Sequence, residues 1–306
     1  MEQFLFYFIH WALPIIILIS LLINRPHSKF GLLSTLLFNV LLLWFLFLWG
    51  QWPIAATLYL KYLLLVIIVF NFFKFFKNYR SSKRSFPKQV GSKLKNVVLI
   101  IFGLLFGFLV GKSFLGRNYK EPAVSLNFPL KEGTYYIASG GSNGVLNNHF
   151  GKGSRSQQFA LDINQLGKLD MVSDGFGPSD NASHYIYGTT VNAPCDGKII
   201  ELKDGIQDNE GSSMNVSPED GQGNYVVLDC DGIVVSMVHL KRGSVGVSLG
   251  DQVKTDDPLG QVGNSGFSQE PHLHFQAARW NKDSVMAGVP IEFEGIKPYR
   301  NSILTR

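Results

Sequence analysis

Four long apolar runs crowd the first third of the chain, at residues 4–23, 31–50, 53–73 and 97–115. Each approaches the roughly 20 apolar residues with which an α-helix crosses about 30 Å of hydrocarbon. Four such runs within 116 residues predict four transmembrane helices rather than helices buried in a soluble core. After residue 117 the texture changes. Short β-rich runs follow: TYYIA (134–138), QFALDI (158–163), GKIIEL (197–202), NYVVLDC (224–230), IVVSMVHL (233–240) and PHLHFQAA (271–278). Gly, Asn, Asp and Ser separate them, which predicts a mostly antiparallel, all-β domain. The one helical piece expected there lies near 279–288. The expected organisation is a four-helix membrane region over 1–116, an extended linker over 117–133 and a β domain over 134–306.

Charge sharpens this division. Of the 28 Lys and Arg, 12 fall in residues 1–116 against one acid, Glu2, while the remaining 16 face 22 acids. The two parts are suited to different solvents, so the net charge of +5 does not argue for a nucleic-acid partner. Basic residues crowd the loop 74–95 between the third and fourth runs and the loop 24–29 after the first. Positive loops stay in the cytoplasm, which places both termini and the β domain on the extracytoplasmic side of a multi-pass membrane protein. Gly103, Gly107 and Gly111 form a small-residue stripe. It suits close packing on a neighbouring helix, or self-association or an envelope-protein partner. Lys61, near the outer end of the third run, reads as a snorkelling lysine. His10 and Pro14 give no usable signal.

The two cysteines, Cys195 and Cys230, both lie in the exported domain at strand edges. Outside the cytoplasm they are disulfide candidates, with two free core thiols as the alternative. No Cys/His spacing suggests a thiolate metal site.

Five of the seven histidines also lie there: His149, His184, His239, His272 and His274. On a strand, residues i and i+2 share a face, so His272 and His274 project together while Leu273 points the other way. A lone His-x-His is weak evidence. Its surroundings are specific: VHL with His239, then VSLGDQV, the turn GQVGNSG (260–266), and PHLHF, preceded by VNAPCDGKI (191–199) and ALDI with Asp162.

This ordered set resembles the M23 zinc peptidase family that includes lysostaphin and the LytM-type peptidoglycan endopeptidases, over about residues 145–278. The resemblance implies one Zn2+, with Asp162 and His274 as ligands and His239 and His272 as non-ligand catalytic histidines. It also implies hydrolysis of peptidoglycan peptides by a chain anchored in the lipid bilayer. The departure is at the first ligand, where Gln158 stands four residues before Asp162; an amide oxygen is a poor zinc ligand beside imidazole. Two readings follow. In the first, His149 supplies the missing imidazole from a folded-back loop, giving His149, Asp162 and His274 as the metal set. In the second, the metal is lost and the domain is a binding or regulatory module of an envelope complex. The first is preferred because Asp162, His239, His272 and His274 are all present. His184 has no counterpart and reads as a surface or groove residue. The acid-rich stretch 202–224 reads as a mobile, solvated hairpin loop.

Overall fold

A computed structural model describes residues 2–23, 28–81, 92–151, 154–175, 180–210, 216–280 and 286–306. The chain divides into two compact units, Met1–Phe114 and Leu115–Arg306.

The first unit is helical. Three of its helices are long and apolar enough to cross a membrane: Phe4–Leu22, Lys29–Trp49 and Lys93–Leu115. The expected fourth, at 53–73, differs from the reading above. A four-residue helix, Trp52–Ala55, opens on Pro53, and the chain leaves helical geometry before the helix Leu60–Ser81 begins. That later helix carries Lys61, Lys74 and Lys77 along its length and is not among the three candidate spans found among the described residues. Leu42, Leu43, Leu46, Trp52, Leu64, Ile67 and Ile68 form the interior of the unit, with Ile17 and Leu21. His10 takes a structural place that the sequence did not signal. Its Nδ1–H donates to the Phe6 carbonyl (2.8 Å), and its Nε2 accepts from the Gln51 N–H (3.0 Å). Gly103 and Gly107 pack on the helix Lys29–Trp49, since a Cβ at either would meet Phe38 or Leu41 at 3.4 Å. Lys61 lies over the rings of Phe47 and Tyr62. Parts of the two basic loops, residues 24–27 and 82–91, lie outside the described residues.

The second unit is built on a nine-stranded antiparallel sheet. At its centre the strand Leu273–Trp280 lies between Leu161–Leu166 and Ile233–Leu240. The strands Thr134–Ser139 and Ile303–Thr305 continue it on one side, and Asn224–Cys230, Gly197–Lys203 and Gln252–Val253 on the other. Alternation assigns the faces. Leu161, Ile163, Leu273, Phe275, Val235 and Met237 point into one core, each at most 1% exposed. Burying a side chain of this size contributes about 1.5–3 kcal/mol, and that face anchors the register of the opposite one.

Two further expectations change. The stretch 117–133 is not a free linker, because Leu126, Phe128 and Leu130 enter this core and Val124–Ser125 pairs in parallel with Ile291–Glu292. Residues 286–288 form a strand against Leu273–Trp280 rather than a helical piece, their Met-Ala-Gly run pairing with Ala278–Trp280; residues 281–285 lie outside the described residues. Cys195 and Cys230 are joined in a disulfide with Cα atoms 6.0 Å apart.

Candidate metal centre

Strand register brings the first two site residues together. His274 pairs directly with Asp162 on one side and with Val238 on the other, so all three side chains share the face opposite the core. His274 Nδ1 lies 3.1 Å from Asp162 Oδ1. Its Nε2 lies 3.0 Å from Gln276 Oε1, two residues on along the same face. Gln276 thereby fixes the tautomer, with Nε2–H donating to the amide oxygen and the Nδ1 lone pair aimed at the carboxylate.

His239 reaches this face through a backbone irregularity. Tyr225 pairs with Val238 and Asn224 with Leu240, which leaves His239 as the extra residue of a β-bulge. Core positions on its strand accordingly run Val235, Met237 and then Leu240. His239 adopts φ of +66°, a left-handed conformation that costs a non-glycine residue energy and clusters at functional sites. The bulge turns its imidazole towards the site, with ring centres 4.9 Å from His272 and 5.9 Å from His274. Its Nδ1–H donates to the Ser265 carbonyl (2.8 Å) in the GNSG turn. Ser265 Oγ in turn binds the Leu240 carbonyl and accepts the Asn224 N–H. His272 Nδ1–H donates to the Glu270 carbonyl at 2.9 Å, leaving Nε2 3.8 Å from Asp162 Oδ1. Both catalytic candidates therefore present an Nε2 lone pair to the centre.

His149 arrives from outside the sheet, on the turn that follows Thr134–Ser139. Its Nε2 lies 3.0 Å from both oxygens of Asp162, and its ring centre 4.6 Å from that of His274. Asn147, 1% exposed, holds the turn. Its Nδ2 donates to the carbonyls of Gly141, Gln158 and Ala160, and its Oδ1 accepts the His149 N–H.

Electrostatics follow from burial. Burial pushes His239 well below the usual histidine range, and the neighbouring imidazoles of His272 and His274 add to this. Burial likewise lowers His272 against the opposing pull of Asp162, so both are neutral at pH 7. Burial alone would raise Asp162, but His149, with His274 and His272, holds it well below the carboxylate range.

Ligating atoms of His149, Asp162 and His274 all lie within 4.8 Å of one another, the one such group of His, Cys, Asp or Glu side chains among the described residues. The fit to a divalent cation is chemical as well as spatial. With Nε2–H given to Gln276, the His274 lone pair faces a carboxylate oxygen, and two acceptors at 3.1 Å need positive charge between them. Two imidazole nitrogens and one carboxylate match a zinc site that leaves a fourth position open.

The structure thus groups His149, Asp162, His239, His272 and His274, five residues singled out in the sequence. His184 is not among them and is not a surface group. It is 6% exposed, bridges to Ser173 and donates its Nδ1–H to the Asp180 carbonyl (3.3 Å). The loop after Lys203 is tied down rather than free where it is described: Asn209 Nδ2 donates to the Gly266 and Ser268 carbonyls. Residues 211–215 of that loop lie outside the described residues. Gln276, Ser265 and Asn147 join the site without a motif to mark them, although Gln276 is legible as the next residue on the His272–His274 face.

Residues 183–287 match Peptidase family M23. An uncharacterised metalloprotease of Buchnera aphidicola subsp. Baizongia pistaciae is 30% identical over 103 residues, 33% of this chain and 25% of that relative. The chain thus spans about a quarter of the length of the curated relative it matches. Among solved structures, a zinc-containing peptidase from Vibrio cholerae is 20% identical, covering 55% of this chain and 39% of its own, with a TM-score of 0.32. The catalytic domain of lysostaphin from Staphylococcus simulans is 27% identical, covering 38% and 85%, with a TM-score of 0.24. The family match contains His239, His272 and His274 and stops short of His149 and Asp162.

Proposed function

From the premise of an M23 peptidase domain at residues 183–287, we propose that this chain is a membrane-anchored zinc endopeptidase that cleaves peptides of peptidoglycan. His149, Asp162 and His274 hold the zinc, and His239 and His272 do the proton chemistry. The observation that carries the reading is the convergence of His149, His272 and His274 on the single carboxylate of Asp162.

Zinc bound there supplies Lewis acidity towards the scissile carbonyl and brings the pKa of a bound water to about 7. The remaining chemistry belongs to the two neutral imidazoles. One Nε2 lone pair takes a proton from the attacking water as its oxygen bonds to the carbonyl carbon. The resulting imidazolium stabilises the developing oxyanion and returns the proton to the amine as the C–N bond breaks. The Ser265 and Glu270 carbonyls keep Nδ1 protonated, so each ring presents the correct nitrogen throughout.

The basic loops 24–29 and 74–95 support placing the second unit outside the membrane, where wall peptides are the available substrate. The test is release of new amino groups from purified peptidoglycan by the full chain in detergent. Release that stops on chelation and returns with zinc supports the reading. No release from zinc-loaded protein, with intact binding to wall peptide, makes the domain a binding module instead.

A further inference from the structure

Of the three metal-facing side chains, Asp162 and His274 sit on strands, while His149 sits on a turn. The turn is wound locally by Asn143, whose carbonyl accepts the N–H groups of Leu146 and Asn147 and whose Oδ1 accepts those of Val145 and Leu146. Local winding shapes the turn but does not aim it at the sheet. A second restraint comes from far along the chain. Arg300, beyond the end of the family match, is 2% exposed. Its Nε–H donates to the Leu146 carbonyl (2.8 Å) and its Nη2–H to Asn148 Oδ1 (2.7 Å).

These two acceptors flank Asn147, the residue that holds the His149 N–H. The segment bearing Arg300 is itself fixed to the sheet. The Arg300 N–H donates to the Gly140 carbonyl, the Asn301 N–H to the Ile137 carbonyl, and Tyr136 Oη–H to Asn301 Oδ1 (2.6 Å). The guanidinium therefore clamps the histidine turn to the strand Thr134–Ser139, next to the strand that carries Asp162. Its charge and that of Asp162 also attract. Burying a guanidinium is costly unless its donors are satisfied, and the planar fork meets two acceptors at a spacing that a lysine ammonium does not reproduce.

We propose that Arg300 is the positioning residue that sets the His149 imidazole in the metal site, a role that rests on the zinc reading above. The experiment compares zinc affinity and the visible absorption of the cobalt-substituted full chain in detergent. The variants are Arg300→Met, Arg300→Lys and Asn148→Ala, and Arg300→Met is repeated in a His149→Ala background. The expected result is about a tenfold or greater loss of zinc affinity for Arg300→Met, a smaller loss for Arg300→Lys, and a weaker cobalt band in both. In the His149→Ala background, Arg300→Met adds nothing, because the ligand it serves is gone.

Asn148 is exposed, so Asn148→Ala keeps the fold and must still weaken zinc binding if Arg300→Met does not fold. Equal losses with and without His149, or unchanged affinity in Asn148→Ala and Arg300→Met, overturn the proposal while leaving the zinc reading intact. A wild-type chain that takes up no metal overturns both.

Discussion

His274 lies directly opposite Asp162 across two antiparallel strands and is held by Gln276 so that its Nδ1, not its Nε2, faces the carboxylate. Gln276→Leu removes that restraint and leaves the Nε2–H buried without its acceptor. Zinc affinity is expected to fall about 10–100-fold, with Gln276→Glu restoring most of it. Competition titration against a chromophoric chelator measures both. Unchanged affinity in Gln276→Leu contradicts the assigned tautomer.

His239 separates chemistry from metal binding. It stands on a bulge at φ of +66° and bonds to Ser265 rather than to the metal-facing set. His239→Ala is expected to lower kcat about 10²–10⁴-fold while zinc content stays at the wild-type level. Elemental analysis beside peptidoglycan turnover distinguishes the two. Loss of zinc in this variant would move His239 into the ligand set.

The sequence made the face of the site legible but not its frame. His272 and His274 announce themselves because a strand repeats every two residues, and the run PHLHF is short enough to be nothing else. His239 falls in phase with its strand's core positions, Val235 and Met237, so periodicity alone would bury it. The bulge that rescues it depends on a turn over twenty residues later, where Ser265 accepts its Nδ1–H. Asn147 and Arg300 carry no local signal, since their partners, backbone carbonyls and for Arg300 also the Asn148 side chain, are brought to them by tertiary folding. The third apolar run shows the same limit: hydropathy registers composition, whereas Pro53 and the turn after Ala55 decide where the helix starts.

The Cys195–Cys230 disulfide closes a loop of 35 residues that ties the start of Gly197–Lys203 to the end of Asn224–Cys230. Replacing both cysteines with Ala is expected to cost about 3–4 kcal/mol of stability through the freed unfolded chain. Urea unfolding of the oxidised, reduced and double-Ala chains measures it. A reduced chain as stable as the oxidised one contradicts the expectation.

Glu270 gives the metal-free chain a pH dependence. Burial, with repulsion from Asp162, pushes its carboxyl up to about 7 from an ordinary 4.5. The folded state then binds this proton more tightly than the unfolded state, so the contribution of Glu270 to stability is fully present below pH 4.5 and is lost as pH rises towards 7. Glu270→Gln is expected to flatten that part of the profile. Urea unfolding of metal-free wild type and variant at pH 5 and pH 7.5 shows it, and parallel profiles would contradict it.

Zinc stoichiometry tests the central claim most directly. The full chain, purified in detergent without chelators, is analysed beside its His149→Ala and Gln158→Ala variants. The prediction is one zinc per chain in the wild type and in Gln158→Ala, and loss of it in His149→Ala. A wild type without zinc, or a Gln158→Ala variant that loses the metal while His149→Ala keeps it, would contradict the account.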